Sequence, residues 1–145
     1  MLSQMLYIST AVGPITTAVT GTILRSAQMH NPANGITGVL CQGQGVYLQV
    51  LEGERSQVEA LYARILTDKR HQNVTLRQHE NIKARRYGKW TMAHIDLAHL
   101  ACPAVVEAAG ARQGAFNAYI VPAEQVLARI DELIASGKVM NAPVV

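Results

Sequence analysis

Three side chains carry the chemistry in this sequence: the phenol of Tyr7 and the carboxamides of Asn31 and Gln49. Gln49 lies inside the apolar run Tyr47-Leu48-Gln49-Val50-Leu51, where a primary amide without a hydrogen-bond partner costs about 1–3 kcal/mol. Something polar must meet it. A phenol and two carboxamides converging between a sheet and a helix present both donors and acceptors, which suits the edge of a flat heterocycle. The same trio contains no hydrolytic engine.

Periodicity indicates the elements that would bring the three together. Met5-Leu6-Tyr7-Ile8 predicts a short strand, and Ser9 to Pro14 a loop. Ile15, Val19, Ile23 and Ala27 then recur every four residues, the stripe of an amphipathic helix. Thr16, Thr17, Thr20 and Gly21 give that helix poor intrinsic propensity, so packing or a ligand must support it. Pro32 ends it by disfavouring the α region in the residue before, and Asn34-Gly35 marks a turn.

Ile36 to Cys41 and Val46 to Leu51, flanking Gln42-Gly43-Gln44-Gly45, predict a β-hairpin. Its second strand is largely apolar on both faces, with Val46, Leu48 and Val50 on one side and Tyr47, Gln49 and Leu51 on the other. A sheet of that kind must be covered on both sides. Val58, Leu61, Tyr62, Ile65 and Leu66 predict a second helix from Ser56 to Thr67. Asn73 to Gln78 reads as a strand, Asn81 to Gly88 as a loop and Trp90 to Ile95 as a last strand, giving the order βαββαββ.

From Asp96 the chain turns Ala-rich, with Pro103 and Pro122 at first helical positions. Val126, Ile130, Leu133 and Ile134 form the stripe of a helix from Pro122 to Ser136, stopped by Gly137. This tail reads as a helical cap on the second face of an α+β sheet.

Composition narrows the class. At 145 residues, 49% hydrophobic and 16% charged, the chain can enclose one core. No apolar run approaches a membrane span and the first residues lack a signal-peptide pattern, so a soluble, unexported protein is expected. Cys41 and Cys102 have no metal spacing and read as reduced, buried thiols, which fits the cytoplasm. His79, His94 and His99 show no paired-ligand spacing, so no metal is expected. Positive charge is dense only at Lys83-Ala84-Arg85-Arg86 and Lys89, too compact a patch for tracking a nucleic-acid duplex, and reads as a solvated loop.

The ordered segments Leu6-Tyr7-Ile8-Ser9, His30-Asn31-Pro32-Ala33-Asn34-Gly35-Ile36-Thr37-Gly38, Leu48-Gln49-Val50-Leu51-Glu52-Gly53, Tyr62-Ala63-Arg64-Ile65, Asp68-Lys69-Arg70-His71 and Trp90-Thr91-Met92 resemble the BLUF family of blue-light sensors that use FAD. The resemblance covers about residues 1 to 95, leaving 96 to 145 as a cap or oligomerisation extension. It implies a ferredoxin-like fold with two helices on one face, the isoalloxazine between them, and the cap on the other face.

The resemblance implies roles for single residues. Tyr7 would be the electron donor to photoexcited flavin, and Gln49 would bridge Tyr7 and the N5/O4 edge. Asn31 would bind the O4/N3 edge and His30 would lie against the ring. Ile23, Ala27 and Ile65 would join the cofactor-binding set, as would Arg64, Asp68, Arg70 and His71 around the second helix, where ring and phosphate contacts arise. Arg70 is open to a second reading, a solvated cation after a helix. Trp90 and Met92 match the last strand, whose alternative inward placement is linked to signalling. Tyr87 departs from the family, standing where Phe is more usual.

In the implied photocycle, light drives electron and proton transfer from Tyr7, and Gln49 tautomerises or rotates. The flavin ends oxidised again with an altered hydrogen bond and red-shifted absorption. The expected protein is thus a photoreceptor rather than an enzyme, a homo-oligomer by resemblance, relaying its state to an unidentified signalling partner. Two other classes fit parts of the sequence: a degenerate ferredoxin-like interaction module that has lost flavin, and a small flavin-dependent redox enzyme. The last lacks any nicotinamide motif or acid/base pair.

Overall fold

The computed structural model describes residues 1–13, 16–43, 45–96 and 122–139. Five strands form one mixed sheet: β1 (Leu2–Ala11), β2 (Thr37–Gly43), β3 (Val46–Glu54), β4 (His71–Asn81) and β5 (Ala93–Asp96), in the spatial order β4-β1-β3-β2-β5. Among the described residues three helices pack on it: α1 (Thr17–His30), α2 (Arg55–Ile65) and α3 (Ala123–Ala135). The chain order is βαββαββ followed by the cap, the ferredoxin-like α+β arrangement expected from the sequence. Neighbouring strands are antiparallel except for β2 and β5, which run parallel.

β1 is longer than the four apolar residues that announce it, and the loop expected from Ser9 begins only after Ala11. The strand is central, paired to β3 on one side and β4 on the other, so its ladder bonds hold well past the hydrophobic stretch. The buried polar residues this draws in are satisfied: the Gln4 amide donates to Glu52 at 2.8 Å, and Ser9 Oγ meets His71 Nδ1 at 2.8 Å. β4 is lengthened in the same way, from the expected Asn73–Gln78 to His71–Asn81.

α1 begins where Thr16 Oγ1 accepts the Val19 N–H at 3.1 Å, a side-chain cap that offsets the weak propensity of the first turn. Ile15, the first residue of the expected stripe, lies outside the described residues. Pro32–Asn34 form one 3-10 turn and Gly35 takes the left-handed φ of 65° that closes it. α2 ends two residues before the expected Thr67, in a turn whose N–H groups fold back on Arg64 and Ile65.

β5 starts at Ala93, not at Trp90. Before it the chain bends, because the Trp90 carbonyl is taken by the Gly38 N–H at 3.2 Å and the Thr91 carbonyl by the Asn31 side chain at 3.1 Å. In α3, Gly137 (φ 73°) ends the helix, with Gly137 N–H to Ile134 and Lys138 N–H to Leu133. Pro103, Cys102 and His99 lie outside the described residues.

The sheet separates two cores, as its doubly apolar β3 requires. One face packs Leu6, Ile8, Val39, Cys41, Leu48 and Val50 against Val126, Leu127, Ile130 and Leu133 of α3. Burial pushes the Cys41 thiol up to about 12, so it stays protonated. The other face packs Met5, Tyr7, Leu40, Tyr47, Leu51 and Met92 against Leu24 of α1 and Val58 of α2. Ile23, Ala27, Leu61 and Ile65 on the same face are only partly buried, because they line a cavity.

Candidate functional site

The cavity, about 400 Å³, lies between the sheet and the two helices. Register explains its floor. Tyr7 on β1 stands directly opposite Gln49 on β3, and Gln49 directly opposite Leu40 on β2, so one face of three adjacent strands presents a phenol, a carboxamide and an apolar side chain in a row. Tyr47, two residues before Gln49, points the same way.

The Tyr7 hydroxyl donates to Gln49 Oε1, and Gln49 Nε2 in turn donates to Met92 Sδ at 3.4 Å across the intervening β2. The carboxamide therefore joins a phenol to a thioether, with its donor and acceptor ends assigned. Tyr7 is 4% exposed and Gln49 5%. Burial, reinforced by the negative charge of Asp68, drives the phenol well above its ordinary pKa, so it remains a proton donor. Its ring lies 5.8 Å from that of Tyr62 and 6.3 Å, edge-on, from His71.

From α1 come Ile23, Ala27 and His30, and just beyond its end Asn31, which is buried. His30 Nδ1 lies 2.8 Å from the Ser26 carbonyl one turn back. From α2 and the turn after it come Arg64, Ile65, Asp68 and Arg70, and from the start of β4 comes His71. His71 is held at both ring nitrogens, 2.8 Å from Ser9 Oγ and 2.8 Å from the Ile65 carbonyl.

Asp68 and Arg70 form a fork. Arg70 Nε donates at 2.9 and 3.0 Å to the two carboxylate oxygens, and the Arg70 backbone N–H adds a bond of 2.9 Å. The Arg70 side-chain bond holds the Asp68 carboxyl below its usual range, and the pair raises the guanidinium in return. Arg64 lines the cavity, and its exposed side chain makes no hydrogen bond or ion pair among the described residues.

Every residue expected to bind cofactor thus lines one cavity, with Tyr7 and Gln49 at its floor. The two residues expected to signal separate. Met92 packs on the cavity face and touches Gln49, whereas Trp90 packs against the opposite core, beneath Lys89 at 5.8 Å. Ser26, Leu40, Tyr47, Leu61 and Thr67 also line the cavity without having been anticipated. Strand alternation from Gln49 would have found Tyr47, and helical spacing from Ile65 and His30 would have found Leu61 and Ser26. Leu40 needed the hairpin register.

The cavity suits a flavin. Its volume is in the range of small-molecule sites, its walls carry apolar, partly unburied side chains, and polar groups from the sheet, the end of α1 and the turn after α2 supply both donors and acceptors. Among the described residues no group of three or more His, Cys, Asp or Glu is placed to hold a metal, and no helix is long and apolar enough to cross a membrane.

Comparison with known proteins agrees with this geometry. Residues 2–93 match the model of the BLUF family, described as sensors of blue-light using FAD. The photoactivated adenylate cyclase subunit beta of Euglena gracilis is 36% identical over 92 residues, covering 63% of this chain and 11% of that protein. Among solved structures, a bacterial light-regulated adenylyl cyclase superposes with a TM-score of 0.68 at 34% identity, covering 70% of this chain and 30% of that one. BlrB, a BLUF protein in its dark state, superposes with a TM-score of 0.74 at 27% identity, covering 94% and 96%.

The chain belongs to the BLUF family and is a blue-light sensor whose pigment is FAD. It spans about a tenth of the length of the curated cyclase it matches.

Proposed function

We propose that this protein converts blue light into a rearrangement of hydrogen bonds at Gln49 and passes that change to another protein without catalysing a reaction of its own. The observation that carries the reading is the chain that runs from Tyr7 and Gln49 on the cavity floor to the buried Met92. FAD, when bound, supplies light absorption and an electron-accepting excited state.

Tyr7 is the donor in this reading. Its protonated phenol can release an electron together with its proton, and Gln49 Oε1 is positioned to take the proton. Gln49 suits a switch because exchanging its two ends rewires both neighbours without moving net charge. Rotation would turn its N–H groups toward Tyr7 and its oxygen away, releasing Met92 from its present bond. When Tyr7 recovers its electron and takes a proton from the N–H group then facing it, Gln49 keeps the first proton on its oxygen and persists as the rotated tautomer, which is the signal.

Asn31, buried beside the floor, holds one edge of the ring while its side chain stays bonded to the Thr91 carbonyl. His30, Ile23, Ala27 and Ile65 enclose the ring. Asp68 occupies Arg70, which supports Arg64 as the cation for the phosphates. Residues 1–95 act as the sensor, and 96–145 as its extension, through which a homo-oligomer or a cytoplasmic signalling partner is engaged.

The test is illumination of the FAD-loaded protein beside Tyr7→Phe. Wild type should show a reversible red shift, and the variant should retain yellow flavin with the photocycle lost. A full photocycle in Tyr7→Phe would remove this residue from the mechanism. Colourless protein that refuses FAD would favour the degenerate interaction module.

A further inference from the structure

The segment between β4 and β5, residues 82–92, is bonded to both faces of the sheet. On the cavity side it receives the Asn31 amide on the Thr91 carbonyl at 3.1 Å. On the opposite side the fully buried carboxylate of Glu52 accepts from the backbone N–H groups of Arg86 at 3.0 Å and Tyr87 at 2.6 Å. The same carboxylate accepts from Gln4 at 2.8 Å. Arg85 reaches the other way, to the carbonyls of Gly35 and Glu52 and the hydroxyl of Thr37, at 2.8 to 2.9 Å. These bonds fasten the segment to β2, β3 and the turn after α1.

Its next two side chains grip the cap. Arg86 donates to Asp131 Oδ2 at 2.9 and 2.6 Å and to Glu124 at 3.2 Å, and Tyr87 donates its hydroxyl to Asp131 Oδ1 at 2.8 Å. Glu124 and Asp131 are two turns apart on α3 and so share one helix face. The Arg86 pairs are partly solvated, which weakens them, but Tyr87 is 2% exposed and packs within the cap-side core. A Phe at this position would fill the same space and make no bond to Asp131.

We infer that residues 85–87 form a latch, in which Asp131 fastens the cap helix to a segment that the cavity residue Asn31 also holds, so that light loosens the cap through it. The inference rests on the photosensor reading above. A side-chain change on the cavity floor alters the setting of Asn31 and Met92, which bracket the end of the segment. Displacement there pulls on Arg86 and Tyr87 through a backbone pinned at Glu52. The apolar stripe of α3 keeps the helix on the sheet while its polar fastening gives way.

Hydrogen exchange of α3 amides, measured in darkness and under blue light on the FAD-loaded full chain, tests this, with absorption recorded on the same samples. Wild type should show a red shift and faster α3 exchange in light. Tyr87→Phe, which preserves the core, and Asp131→Ala should keep the red shift. Their α3 amides should exchange about tenfold faster than wild type already in darkness, as loss of a partly buried bond to a charged group implies, and should respond little to light. Both should also prolong the lit state several-fold, since re-forming the latch no longer favours return. A wild-type red shift with identical α3 exchange in dark and light overturns the latch alone, as does unchanged lit-state lifetime in both variants. Absence of any red shift in wild type instead removes the photosensor reading, and the latch with it.

Discussion

Tyr7 and Gln49 face one another directly across the β1–β3 ladder, and the phenol gives its hydrogen bond to the carboxamide oxygen. Neither can slip without moving a central strand, because β1 is paired on both edges. Donor and switch are thus held in contact by register rather than by a loop.

Gln49→Glu tests the switch. A carboxylate or carboxylic acid cannot exchange a donor end for an acceptor end as an amide does. The light-induced red shift should be lost or altered while FAD remains bound. A normal reversible red shift in this variant would count against the role given to Gln49.

The state of Tyr7 sets a pH dependence. Burial raises its folded pKa above the ordinary 10.0, so the stability it contributes is present below that value and is lost as pH rises toward the folded one. The amplitude of the red shift should therefore stay level from neutral pH to about 10, where a free tyrosine half-ionises. A titration of the photocycle with a midpoint below that value would show an exposed or otherwise different phenol.

Arg64 and Arg70 differ in what they have left to offer. Asp68 occupies the fork of Arg70, whereas Arg64 has no side-chain partner among the described residues. Arg64→Ala should weaken FAD and FMN by roughly tenfold or more, the loss of a bond to a charged group, and leave riboflavin nearly unchanged. Equal weakening of all three in a titration of apoprotein would place Arg64 at the ring instead.

Gly38 tests the scaffold. A Cβ there would lie 2.0 Å from the Val50 carbonyl oxygen, a backbone atom that cannot move without breaking the β2–β3 ladder. Gly38→Ala should cost about 3 kcal/mol or more, measured by denaturant unfolding. A loss below about 1 kcal/mol would mean that β2 can shift at no great expense.

Much of this architecture could be read from the chain because the strongest signals agree. The doubly apolar β3 required cover on two faces, and the stripes at Val58–Leu66 and Val126–Ile134 supplied helices to provide it. Ends of strands were less legible. Ser9, Gln4 and His71 look like loop residues by type, and only pairing partners distant in sequence turn them into strand. The site followed the same division. Tyr7, Asn31 and Gln49 stood out as polar groups in apolar or turn settings, joined by their resemblance to a family. Tyr47 and Leu40 look like ordinary core until the hairpin register aims them at the cavity. Trp90 and Met92, two residues apart, gave no sign that a bend at Thr91 would send them to opposite cores.

In the proposed photocycle, light rearranges hydrogen bonds and leaves no chemical product. A light-minus-dark absorption spectrum of the FAD-loaded protein, followed through recovery in darkness, tests it most directly. The expected result is a red-shifted band of undiminished intensity that returns fully to its starting position. Loss of the oxidised absorption band without a shift would contradict it.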